Sequence, residues 1–176
     1  VLILRRCGSV DAVLAVLTAT TTVHIGLIVL GNITDYDTNH QFVLHVLAMD
    51  TTFRSPATMW RAVTSPALVT ATYLAIIGWE LVSTILLATA TVMWLRRAGN
   101  HSHATARQLS STGWLMWLIL FGGGFIAIGG EWFAMWQSTH WNGLNPALQN
   151  FVIASVCLVL THLPPQSSPP RAGSST

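Results

Sequence analysis

The sequence predicts an all-α membrane protein, a four-transmembrane-helix bundle with a short interfacial helix in its first outer loop. Three observations carry this. Of 176 residues, 52% are hydrophobic and only 8% are Asp, Glu, Lys or Arg, about a third of the charged share of a soluble domain. That leaves too few charges for a water-facing surface and too much apolar side chain for a disordered chain. Four apolar runs reach or approach the roughly 20 residues that a bilayer crossing needs. None of these runs alternates apolar and polar residues, which argues against strands.

The first run, about 10–30, follows Arg5 and Arg6. Its apolar core is too long for a signal peptide and no small-residue cleavage site follows it, so it is expected to remain as a span. The second, about 66–95, opens at Ser65-Pro66, a capping side chain before a proline at the first helical position. The third covers about 109–131. The fourth, about 146–163, opens at Asn145-Pro146 in the same way. Between the first two, Thr38 to Met49 places Phe42, Val43, Val46, Leu47 and Met49 mostly on one side of a helix, as in a helix lying in an interface. A turn is expected after Ser55-Pro56. Residues 1–163 then form one transmembrane domain, and 164–176 a disordered, Pro/Ser-rich cytoplasmic tail. The halves do not repeat, so an inverted-repeat transporter is not indicated.

Arginine placement orients the bundle. All eight basic residues are Arg. Arg5, Arg6, Arg96, Arg97, Arg107 and Arg171 fall on one side, Arg54 and Arg61 on the other. The positive-inside rule puts both termini in the cytoplasm, with the 31–65 and 132–145 loops outside a bacterial inner membrane. Trp60, Trp132, Trp136 and Trp141 are expected in an outer aromatic belt, and Trp94, Trp114 and Trp117 in an inner one. A net charge of +2 with scattered arginines excludes a nucleic-acid stripe.

Glu80 is the leading candidate for chemistry. It stands near the middle of the second span, where a carboxylate is costly unless paired or protonated. Tyr73, Thr84 and Thr91 fall on nearly the same helical face. Two readings stay open: a hydrogen-bonding group that holds helices together, or a proton or ligand contact. His24, near Thr20 and Thr21, and Glu131, at the outer end of the third span, are further candidates. Gly123, Ala127, Gly130 and Ala134 recur at the spacing of a small-residue packing seam. Asp35, Asp37, His40, His45 and Asp50 gather in the outer loop as weak metal candidates, yet His40 and His45 are five apart and diverge on a helix. The loop is therefore expected to be solvated. His24 and His162 lie at different depths, so this chain alone is not expected to hold a bis-histidine haem. Cys7 and Cys157 form no C-x-x-C motif, and Cys157 reads as a small buried hydrophobe.

Four segments carry a resemblance: Asn32 to Phe53 (NITDYDTNHQFVLHVLAMDTTF), Trp60 to Leu68 (WRAVTSPAL), Gly78 to Leu81 (GWEL) and Ile128 to Ser138 (IGGEWFAMWQS). Over about residues 10–162 the chain resembles a bacterial domain-of-unknown-function family of predicted small integral membrane proteins. The resemblance implies four spans and supplies no activity, cofactor or catalytic residue. Two functional classes follow from the sequence. The first is a non-catalytic accessory or structural subunit of a larger inner-membrane complex, such as an oxidoreductase or other energy-converting assembly. Its partners would be lipids, other subunits or further copies, with bound lipid and a quinone or haem shared with a partner subunit. The alternative is a self-contained oligomeric transporter or sensor that handles protons or a small ligand through Glu80, Glu131 and His24. With no metal or nucleophile constellation, an enzyme acting alone ranks behind both.

Overall fold

The computed structural model describes residues 9–96 and 100–163. Arg5, Arg6, Cys7, Arg97, Arg171 and the expected tail at 164–176 lie outside the described residues. Helix α1 spans Val10–Thr34. Ser9 caps it, its hydroxyl accepting from Ala12 N at 3.2 Å. Asp11 stands in the first turn, where the exposed N–H groups favour a negative charge. The helix continues four residues beyond the expected end at 30, carrying Asn32 with it.

A single residue, Asp35, separates α1 from α2, Tyr36–Ala48. This short helix continues in the direction of α1 beside the N-terminal half of α3, with Tyr36 against Tyr73 and His40 against Thr70, and buries Val43 and Leu47. Met49 ends it in the left-handed conformation, φ 53°. Leu47 O accepts from Val63 N at 2.8 Å, tying the following segment to α2. That segment makes the turn expected after Ser55 and a short 3-10 turn, Met59–Arg61.

Helix α3 runs Pro66–Leu95 with Pro66 at its start. Ser65 occupies the cap position without a side-chain hydrogen bond, and its carbonyl accepts from Val69 N at 3.0 Å. The third span is two geometries in one. An α-helical part, α4, covers Asn100–Leu118 and passes directly into a π-helix, Ile119–Trp132. The wider i→i+5 turn coincides with Gly122, Gly123, Gly124, Gly129 and Gly130. Phe133 N closes it on Ile128 O at 3.0 Å. A π-helix of this length is rare, since most are single-turn bulges.

Helix α5 spans Leu144–Thr161 and starts two residues earlier than expected. Asn145 is inside the helix and not its cap; Asn142 Oδ1 accepts from Leu144 N at 3.1 Å instead. Pro146 is tolerated in the first turn because N–H groups there lack intrahelical partners anyway. At the other end of α5, Arg107 donates to Thr161 O at 2.8 Å and Leu163 O at 3.2 Å, and pairs with Asp11 at 2.9 Å. One cation thus satisfies terminal carbonyls of α5 and the acid in the first turn of α1.

The long helices pack as α1 on α3, α3 on α4, and α4 on α5. Four helical spans are long and apolar enough to cross a membrane. Hydroxyl pairs stitch the crossings: Thr18 to Ser110 at 3.1 Å and Thr22 to Thr91 at 3.0 Å. The expectation of an inner aromatic belt is corrected. Trp94, Trp114 and Trp117 are core residues, with Trp94 donating to Ser110 Oγ and Trp114 to Thr21 Oγ1. Hydroxyls on facing helices draw these two indoles inward. Trp60, Trp132 and Trp136 at the opposite end are exposed.

The four positions of the expected packing seam do not share one face. The spacing assumed 3.6 residues per turn, and the π-helix abolishes it. Gly123 and Ala127 are not buried, and a Cβ on Gly123 would meet nothing within 4 Å. Gly130 is buried, and a Cβ there would stand 2.9 Å from Leu144 Cδ2. Ala134 lies beyond the helix in a left-handed turn, φ 52°.

Candidate functional site

The polar face read along α3 meets α1. Tyr73 donates to Asn32 O at 2.7 Å. Asn32 Nδ2 donates to Glu80 Oε2, also at 2.7 Å. Thr84 bonds back to Glu80 O and approaches Gly26, and Thr91 meets Thr22. Glu80 is 2% exposed. Among the described residues its second oxygen, Oε1, has no hydrogen-bond partner, and no cation pairs with either oxygen.

Glu80 lies midway along α3, but its level in the bundle is set by Asn32, two residues from the end of α1. Asn32 is 21 positions from Asp11, roughly 31 Å of helix at 1.5 Å per residue. That is about the thickness of a hydrocarbon core. The carboxyl is thus well away from the Asp11–Arg107 end, at the level where α1 approaches α2.

A cavity of about 270 Å³ opens on this carboxyl. Asn32, Asn39, Tyr73, Glu80 and Asn150 supply its polar lining, and Phe42, Phe121 and Phe125 its aromatic walls. Elements α1, α2, α3, the π-helix and α5 all contribute, so the site exists only in the assembled bundle. Gly143 leaves room for Phe42, since a Cβ there would stand 2.8 Å from the ring.

His24 reaches the site through Asn150, with Nε2 3.0 Å from Oδ1. An amide oxygen only accepts, so in this contact the imidazole is the donor when Nε2 bears the proton. The imidazole also lies 5.6 Å from the Trp117 ring. Trp117 Nε1 is buried without a partner among the described residues. His162, by contrast, is at the far end of α5, with Nδ1 on Leu158 O, so the structure does not bring the two histidines together.

The remaining candidates are dispersed. Glu131 is exposed at the end of the π-helix. Asp35 and Asp37 lie at the junction of α1 and α2, Asp37 in the first turn of α2. His40 bonds Thr70 at 3.1 Å and packs between Tyr36 and Tyr73. His45 pairs with Asp50 at 2.7 Å and stacks on Trp141. Among the described residues no three His, Cys, Asp or Glu side chains are grouped to hold a metal ion.

Asn32, Asn39 and Asn150 are site residues that sequence reasoning misses. A signal for Asn150 is present, an amide inside the fourth apolar run. Asn32 is hidden because it lies beyond the expected end of the first span.

No curated protein and no solved structure matches the chain. A family model described as "Predicted small integral membrane protein (DUF2165)" matches residues 10–164. With most of the chain covered and four apolar helices in the bundle, the protein belongs to this family of small integral membrane proteins.

Proposed function

We propose that the protein is a ligand-handling membrane protein, a transporter or sensor, whose working site is the cavity around Glu80. One observation carries this reading. Among the described residues the buried carboxyl has one amide donor, no counter-cation and a free oxygen, at a cavity lined by three asparagines. A buried charge requires compensation. A proton or the positive group of a ligand supplies it, and exchange between the two would couple ligand binding to protonation. Asn32 and Tyr73 fix the carboxyl's position; His24 orients Asn150 on the opposite wall.

The test is labelling with a hydrophobic carbodiimide, which modifies protonated carboxyls in apolar surroundings. Peptide mass spectrometry of the full chain in lipid nanodiscs should find the adduct on Glu80, and butylamine should suppress it. Absence of labelling, or labelling indifferent to the amine, overturns the reading.

The exposed small residues Gly123 and Ala127 favour a second reading, an accessory subunit of a larger complex with this face against another helix. A quinone or haem shared with a partner subunit belongs to that reading. Purification in mild detergent separates the two: stoichiometric foreign subunits support the accessory role, the chain alone or with its own copies the first.

For either reading we place the chain in a bacterial inner membrane with the α2 end outward. Cysteine replacing Asp37, in a chain with Cys7 and Cys157 changed to serine, should react with an impermeant maleimide added outside intact cells. Cysteine at Ala104 should not. The opposite pattern reverses the orientation.

A further inference from the structure

A second cavity, about 180 Å³, adjoins the first. Phe42, Val43, Ile76 and Phe125 line both. The Phe42 and Phe125 rings stack across the division, with centroids 6.4 Å apart. The two chambers differ in chemistry. The first presents a carboxyl, three amides and a phenol; the second has Thr72 as its sole polar side chain. Its wall on the π-helix includes Gly124 and Gly129. They are five residues apart, and the i→i+5 ladder stacks one above the other, as the 3.5 Å approach of a Gly129 Cβ to Gly124 O records. An ordinary α-helix would rotate them apart, so the π geometry shapes this chamber.

We propose that the ligand is an amphiphilic amine, its ammonium group at Glu80 Oε1 and its alkyl chain in the apolar chamber beyond the Phe42–Phe125 pair. This rests on the reading of the Glu80 cavity as a ligand site. An ammonium answers the one charge lining that cavity, which has no cation paired with it among the described residues. Phe42, Phe121, Phe125 and Tyr73 surround it with aromatic surface, which attracts cations. A carboxylate or phosphate head would face Glu80 with like charge. The shared walls continue the head site into a chamber that offers hydrogen-bonding groups little and alkyl groups much.

Calorimetry of the full chain in nanodiscs, corrected against protein-free nanodiscs, compares butylamine, octylamine, octanol and octanoate. Octylamine should bind tighter than butylamine, by about fourfold per added methylene until the chamber fills. Octanol and octanoate should bind far more weakly. Gly124→Leu, which fills the apolar chamber, should reduce octylamine to the level of butylamine and leave butylamine unchanged. Thr72→Phe, on the facing helix, should do the same and guards against misfolding of the glycine variant. A chain-length gain that is missing, or that survives both variants, overturns the proposal while Glu80-dependent butylamine binding still stands. Octanol binding as tightly as octylamine overturns the head assignment. Butylamine binding that is absent or unchanged by Glu80→Gln overturns the Glu80 site itself, and the proposal with it.

Discussion

Gly113→Leu should cost the bundle about 3 kcal/mol, the upper end of over-packing effects, read as unfolding free energy in mixed micelles. A Cβ at Gly113 would stand 2.7 Å from Leu87 Cγ and 2.8 Å from its Cδ2. Leu87 is fully buried and has little room to move aside. Behind it lies Ser83 O, 3.5 Å from the same point. The larger side chain therefore has to push α3 and α4 apart. Doing so breaks the hydrogen bond from Ser83 Oγ to Gly113 O, 2.9 Å long and buried, and leaves both groups without water to replace it. Gly123→Leu is the control. It adds the same side chain where a Cβ meets nothing within 4 Å, and should change the stability of the isolated chain by no more than about 0.5 kcal/mol. Equal losses at the two glycines would mean that α3 and α4 do not cross at Gly113.

That contrast shows which features are legible in the sequence. Apolar run length reveals the four long helices, and Pro66 marks where the second begins, because both follow from local chemistry. The second span has the bounds expected of it, Pro66–Leu95. The polar face of Tyr73, Glu80, Thr84 and Thr91 is also readable, since α3 keeps 3.6 residues per turn throughout. The small-residue seam is not. Its spacing is meaningful only on an α-helix, and five glycines lie within the span that winds as a π-helix. Gly113 escapes notice because a lone glycine has no periodic partner to draw attention to it. The surroundings of Glu80 are out of reach for another reason: its partner Asn32 is 48 positions away and Asn150, on the same cavity, 70, and helix register, which brings them together, is a property of packing. Trp94 and Trp114 show the same limit. An indole near a span end suits a lipid interface equally well as a core, until Thr21 or Ser110 on a neighbouring helix supplies an acceptor.

Glu80→Leu should destabilise the bundle by about 1–3 kcal/mol, because it leaves Asn32 Nδ2 against α3 with no acceptor. Glu80→Gln should be nearly neutral for folding: the amide oxygen still accepts from Asn32, and the side chain has the same length. Asn32→Leu should resemble Glu80→Leu, this time stranding the carboxyl. The doubly substituted Asn32→Leu, Glu80→Leu chain should be more stable than the sum of the two losses predicts, since neither polar group remains to be stranded. The excess measures their coupling. These four chains also separate a purely cohesive Glu80 from one that handles a ligand. Cohesion requires an acceptor, which glutamine provides, so Glu80→Gln would then behave as wild type in every assay. Ligand handling requires a group that can carry a charge and exchange a proton. Glutamine does neither, so the variant should keep its stability and lose amine binding. Wild-type stability with leucine at position 80 would defeat both roles, because it would mean that the carboxyl meets water and not Asn32.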